Sequence, residues 1–183
     1  MGKALRKPWT VAEFVAWEER QVERYEFVDG IVRMMTGGTA AHSTIITNLV
    51  VALRSAMRNG PCRPLVDTPK VVTAFASLYP DVAIVCQPVE PDRTTLDEPT
   101  VIIEVLSPST EGEDRGGKWA AYQTLPSLAH YLLVVQNEAR VELFTRDGAG
   151  WRFQVFTGLN AVVELSTVGA ALPLAEIYDG ALG

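Results

Sequence analysis

A chain of 183 residues, 48% of them hydrophobic, with a net charge of −6, reads as one domain over residues 1–183 with enough apolar content for a substantial core. Apolar runs such as Tyr131 to Val135 are far too short to cross a bilayer, and no apolar signal segment follows the opening MGKALRKPWT, so a soluble cytoplasmic protein without membrane partners is expected. A pI near 5.0 counts against broad electrostatic capture of nucleic acid, but it leaves room for a local basic cluster and for acids gathered at a metal. Cys62 and Cys86 lack metal-type spacing and are expected as reduced thiols in or near the core.

TVAEFVAWEERQVERYE opens a helix, with Thr10 and Glu13 at capping-box spacing and Val11, Phe14, Val15 and Val22 as its buried stripe. YEFVDGIVRMM reads as a hairpin turning at Asp29-Gly30, which sets Phe27 across from Val32 and Glu26 across from Arg33. A second helix, AAHSTIITNLVVALRSAMRNGP, repeats Ile45, Leu49, Ala52, Leu53 and Ala56 at helical spacing and stops at Gly60-Pro61. Extended pieces are expected around Cys62 to Val66 and Val71 to Phe75. DVAIVC and TVIIEVLS are β-branched and apolar on both faces, as strands in the middle of a covered sheet are. DRGGKWAAYQTL reads as a short helix ended by Pro126. HYLLVV, VELFTR and WRFQVF read as an antiparallel meander, followed by a short strand near Val162 and a helical turn over Leu174 to Tyr178. The order predicts an α/β fold: a mixed sheet flanked by helices, with an N-terminal helix and hairpin and a C-terminal meander.

One residue breaks the apolar pattern of the central strands. Glu104, in VIIEVLS, shares a strand face with Ile102 and Leu106. An ionised carboxylate in such surroundings must be neutral, paired, hydrogen-bonded or bound to a cation. Asp81, in YPDVAIV, is a second acid at a strand end, and neighbouring strands would let the two converge. Two close negative charges with oxygen-only ligation favour Mg²⁺ or Mn²⁺. Lys118 lies on the next helix, and Asp114, Lys118 and Tyr122, four apart, share one face. A lysine there can reach back over the strand end, offset carboxylate charge, and position or deprotonate a water.

These stretches resemble a known family. YPDVAIV, VIIEVLSPST and DRGGKWAAY, with RYEFVDGIVRMM and AAHSTIITNLVVAL before them, look like the Uma-type restriction endonucleases, a bacterial branch of the PD-(D/E)XK nuclease superfamily. The resemblance spans about Val11 to Tyr178. It implies a restriction-endonuclease-like fold and a Mg²⁺- or Mn²⁺-dependent phosphodiesterase acting on DNA, with Asp81 and Glu104 as metal-binding acids and Glu26 as a further metal or water ligand. The superfamily expects a lysine two residues after the second acid; this chain has Leu106, and Lys118 matches a lysine moved to the following helix. Asp81, Glu104 and Lys118 are thus the implied catalytic set, with Lys118 orienting the attacking water or stabilising charge at phosphorus.

Each residue also has a structural reading. Glu104 could be a paired buried acid, Asp81 a turn residue after Pro80, Lys118 a solvated charge, Asp114 a helix cap, and Glu26 the cross-strand partner of Arg33. His42 could face the site as a shuttle or phosphate contact or be an ordinary surface or core histidine; His130 reads as structural. The SPST turn could contact phosphate or simply follow Pro108. The four tryptophans read as packing. The missing lysine at 106 and the acidic charge motivate an alternative: a catalytically weak nuclease-fold protein that binds nucleic acid or protein as a homodimer. No Gly-x-Ser-x-Gly elbow supports a serine hydrolase.

Overall fold

Turn chemistry sets the first hairpin. Asp29 and Gly30 take φ of 45° and 81°, as a two-residue turn matching the twist of its strands requires. It joins β2 (Tyr25–Val28) to β3 (Ile31–Met34) in the expected register, Phe27 opposite Val32 and Glu26 opposite Arg33. The computed structural model describes residues 5–6, 9–67, 69–108 and 110–182; part of the SPST turn, Ser109, lies outside them.

Where one mixed sheet was expected, two six-stranded sheets form. The first has the order β1 (Leu5–Arg6), β3, β2, β6 (Ala76–Leu78), β5 (Lys70–Val72), β8 (Thr95–Leu96). The second has the order β12 (Gly150–Thr157), β11 (Arg140–Asp147), β10 (His130–Val135), β9 (Val101–Leu106), β7 (Val82–Val85), β4 (Arg63–Val66). A ribbon of β13 (Val162–Leu165) and β14 (Ala170–Pro173) follows. The meander β10–β11–β12 is antiparallel, as read from the sequence. β9 sits at the centre of its sheet, parallel to β10 and antiparallel to β7. Only Tyr79, Pro80 and Asp81 separate β6 in one sheet from β7 in the other, so the chain crosses between sheets within three residues.

Strand alternation then sorts the core. Val101, Ile103 and Val105 face α2 (Ala40–Ala56), whose Ile45, Leu49 and Leu53 are fully buried, together with the ribbon and α5 (Leu174–Ile177). Burying each of those three side chains stabilises the fold by roughly 1.5–3 kcal/mol. Ala52 is only half-buried and Ala56 exposed; Met57 takes the next inward position. Ile102 and Leu106 face the other way, against Tyr122, Tyr131 and the first sheet's Val28, Val71 and Leu78. Two short helices, α3 (Glu111–Glu113) and α4 (Trp119–Tyr122), cover that face, joined by a wide π-type turn over Asp114–Lys118. The tryptophans pack as expected: Trp9 and Trp17 lie 4.9 Å apart, and Trp119 sits between Tyr131, Phe144 and Trp151. His130 is buried between the Thr145 and Thr167 hydroxyls.

Three expectations are corrected. Helix α1 (Val11–Glu18) has the capping box, with Glu13 N–H donating to Thr10 Oγ1 at 3.2 Å, but it ends at Glu18, and Val22 beyond it is 96% exposed. Past Glu18 the backbone tightens, with the Arg20 and Gln21 N–H groups donating to the Trp17 and Glu18 carbonyls and Gln21 Nε2 donating to the Trp17 carbonyl at 2.9 Å, while the Glu18 carboxylate turns inward, accepting from Lys70 Nζ at 2.7 Å and from the Tyr79 hydroxyl at 3.0 Å. Cys62 and Cys86 are not free thiols but a disulfide. Pairing of Arg63 with Val85 brings the residues just outside β4 and β7 face to face across 24 residues of sequence. Asp114 does not cap the helical segment that carries Lys118 but is its first residue, following α3 directly, and it is 2% exposed.

Candidate active site

Glu104 occupies the middle of a strand in which all six residues are buried, and is itself 2% exposed. Its face is the one that α4 covers, so its partners come from there. Glu104 Oε1 accepts from the Tyr122 hydroxyl at 3.0 Å and from Lys118 Nζ at 3.3 Å. The wide turn that delivers Lys118 contains Gly116 and Gly117; a Cβ on Gly117 would collide with the Glu113 carboxylate and press on Val28. Glycine at 117 therefore lets the turn lie close against the first sheet.

Lys118 is buried and touches three carboxylates: Glu26 at 3.0 Å, Glu104 at 3.3 Å and Asp114 at 3.3 Å. Glu26 comes from β2 in the first sheet, and its Oε1 also accepts from the Tyr79 N–H at 3.0 Å. The expected Glu26–Arg33 ion pair does not form despite the predicted register, because Lys118 takes Glu26 and Arg33 pairs with Glu113. Asp81 is a fourth acid. Pairing of Val82 with Ile103 carries Asp81 to the position opposite Glu104, and the Asp81 N–H points at Glu104 Oε2 at 3.4 Å. Asp81 Oδ2 accepts from the Val105 N–H at 2.6 Å and lies 3.3 Å from His42 Nε2. His42 reaches it from the first turn of α2, where Thr39 caps the helix by accepting from the His42 N–H at 3.1 Å.

The four predicted residues, Asp81, Glu104, Lys118 and Glu26, thus meet where the two sheets join, and His42 joins them through Asp81. Three contacts were not assigned from the sequence: the Tyr79 N–H to Glu26, the Tyr122 hydroxyl to Glu104, and Asp114 as a buried acid on Lys118. The four-residue spacing of Asp114, Lys118 and Tyr122 was the available signal.

Burial and crowding set the protonation states. Glu104 is pushed well above the usual carboxylate range by burial, against the pull of Lys118 and with added repulsion from Asp114, Asp81 and Glu26. Asp114 is raised for the same reason, burial first. Burial opposes the Lys118 charge, but Glu104, Glu26 and Asp114 outweigh it and hold the ammonium well above its ordinary value. Lys118 is therefore a fixed cation suited to orienting a water or offsetting anionic charge, not to removing a proton. His42 is raised by its bond to Asp81, which exceeds the opposing effect of burial. With His42 neutral, the cluster sets four carboxyl groups against one cation.

That donor set fits a hard divalent cation. Its acids are all oxygen donors, they outnumber the cation beside them, and burial pushes the most buried of them well above the usual carboxylate range. Among the described residues no three acids or histidines are gathered to ligate one ion. Mg²⁺ characteristically takes only one or two carboxylates and keeps its waters.

Comparison with known proteins agrees with this fold. A family profile described as "Putative restriction endonuclease" (Uma2) matches residues 11–175. Two proteins of Synechocystis sp., "Uncharacterized protein slr1290" and "Uncharacterized protein sll1609", are 33% and 32% identical. The first alignment covers 92% of this chain and 90% of the relative, the second 91% and 97%. The crystal structure of "a putative nuclease belonging to DUF820" from Anabaena variabilis superposes with a TM-score of 0.79 at 18% identity, covering 93% of this chain and 98% of that one. Among the described residues no helix is long and apolar enough to cross a membrane.

Proposed function

The chain belongs to the Uma2 family of restriction-endonuclease-like proteins, and on that premise we propose that it is a metal-dependent endonuclease hydrolysing phosphodiester bonds of DNA. The observation that carries this reading is the convergence of Asp81, Glu104, Glu26 and Lys118 at the junction of the sheets, with a charged lysine beside an acid pair.

Asp81 and Glu104 would hold Mg²⁺ or Mn²⁺, with Glu26 as the third carboxylate available to it. Bound there, the ion would supply positive charge for a phosphate oxygen and a more acidic water. The chain's own groups do the rest. Tyr122 fixes Glu104 through Oε1, while the Val105 N–H and His42 fix Asp81, so the two acids keep their separation when charge arrives. Lys118, held as a cation, orients the attacking water and offsets charge growing on the phosphate. The whole chain acts as one nuclease-like unit in the cytoplasm.

A second reading has an observation of its own. β12 is an edge strand that exposes Phe153 (51%) and Val155 (44%), an unpaired edge of the kind a second copy can cover. A homodimer built there suits a nuclease, and equally a catalytically weak binding protein. Incubation of the pure protein with plasmid and single-stranded DNA, with and without Mg²⁺ or Mn²⁺, decides between them. The nuclease reading expects metal-dependent cleavage that Asp81→Ala and Glu104→Ala abolish. No cleavage, or cleavage unchanged in those variants, refutes it, and metal binding by calorimetry without cleavage selects the binding protein.

A further inference from the structure

The far end of α2 carries a second charged feature, separate from the acid cluster. Arg54 and Arg58 stand four residues apart on exposed positions there, and Arg63 begins β4 beyond the Gly60–Pro61 turn. The three arginines line a cleft of about 610 Å³ together with Val51, Ser55 and Cys62, and no aspartate or glutamate lines it.

This is unusual in an acidic chain whose other arginines are mostly held by carboxylates. Arg24 pairs with Asp67, Arg33 with Glu113, Arg93 with Asp97, Arg115 and Arg140 with Glu142, and Arg152 with Asp147. Among the described residues Arg54, Arg58 and Arg63 form no ion pair, and Arg63 donates only to the Gln87 carbonyl, at 3.4 Å. The partial negative charge of a helix C-terminus accounts for basic residues at 54 and 58. It does not account for Arg63, which comes from another element and faces the same space.

We infer that this cleft binds the phosphate backbone of the nucleic-acid substrate, away from the point of cleavage; the inference rests on the nucleic-acid reading above. Three guanidinium groups without competing acids are a matched surface for phosphate oxygens. Along the axis of α2, twelve residues of helical rise put Arg54 about 18 Å from His42, and at about 100° per residue Arg54 and Arg58 point about 120° and 160° round the helix from it; a polyanion reaching both places would therefore pass around α2. The net charge of −6 makes such a local contact necessary for a chain that must hold a polyanion.

The test measures binding apart from cleavage. A fluorescein-labelled duplex is titrated without metal, by anisotropy, between 50 and 200 mM KCl. Each phosphate contact on B-DNA is worth about 3.5-fold in affinity over that range. The triple variant Arg54→Ala, Arg58→Ala, Arg63→Ala should therefore bind more weakly at low salt, and its affinity should fall about 40-fold less than wild type's across the range. The double variant Arg54→Ala, Arg58→Ala, altered only at exposed positions, should fall about 12-fold less. The triple lysine variant should keep the wild-type slope. Hydrolysis of bis-p-nitrophenyl phosphate with Mn²⁺, a substrate too small to span both places, should be equal in wild type and the alanine variants. If wild type cleaves no DNA with Mg²⁺ or Mn²⁺, the nuclease reading falls while the binding titration still decides this one. Unchanged affinity and slope in the alanine variants overturn the proposal. So does a wild type that does not bind the duplex, or a loss confined to binding of phosphatidylserine vesicles.

Discussion

Replacing Lys118 by methionine removes the one cation inside the acid cluster while keeping the length of the side chain. At an effective dielectric near 20, an ammonium 3.0–3.3 Å from a carboxylate gains about 5 kcal/mol per contact before desolvation is subtracted. Removing one member of a buried charge cluster costs about 3–5 kcal/mol once the remaining groups take up protons. For a chain of this size that corresponds to a melting temperature lower by about 6–20 °C. The loss must depend on pH. Glu104 and Asp114 already sit above their ordinary values of 4.5 and 3.8, through burial first, and Lys118 holds both down. Without it their folded-state values rise further. A raised acid costs nothing below its unfolded value and progressively more as the pH climbs through the folded one. The deficit of Lys118→Met should therefore be small near pH 4, large at pH 8, and partly repaired by adding Glu104→Gln. Urea unfolding of the metal-free protein across pH 4–8 measures it. A variant within about 1 kcal/mol of wild type at pH 8, or one equally destabilised at both ends, would refute the charge balance drawn here.

Glu104→Gln alone should abolish cleavage yet stabilise the metal-free protein above neutral pH, because it deletes a desolvated acid crowded by three others; thermal melts with and without Mg²⁺ read both effects. Tyr122→Phe should cost about 1.5–3 kcal/mol through the hydrogen bond to Glu104, measured by urea unfolding. His42→Gln should remove the stability that the raised His42 contributes, which is full below about pH 6.5 and lost as the pH rises through its folded value; wild type and variant should therefore converge at alkaline pH. Cys62→Ser with Cys86→Ser should cost about 3.5 kcal/mol relative to the oxidised protein, from closing a loop across 24 residues, and nothing relative to the reduced one, as unfolding with and without reductant will show.

The sequence made legible what depends on local pattern. The Asp29-Gly30 turn gave the hairpin register to the residue, and the unbroken apolar run around Glu104 gave both the central strand and the oddity within it. What it hid depends on contacts between distant segments. Glu18 reads as one more solvated acid until Lys70 and Tyr79, more than fifty residues away, are seen to draw it in. The cysteines seem unrelated until β4 and β7 pair. Asp114 and Tyr122 share a helical spacing with Lys118, but nothing local says that this face is buried against a strand carrying an acid. The split into two sheets was invisible because the Tyr79-Pro80-Asp81 link looks, in sequence, like any short connection within one sheet.

That link is one of several passages of the chain between the two hydrogen-bonded layers, β4 to β5 and β8 to β9 among them. One layer lends Glu26 and the Tyr79 amide; the other lends Asp81 and Glu104; Lys118 is shared by both. Neither layer alone carries the full charge constellation. A scissile phosphate seated there would touch groups from both, making occupancy a clasp that resists their sliding apart.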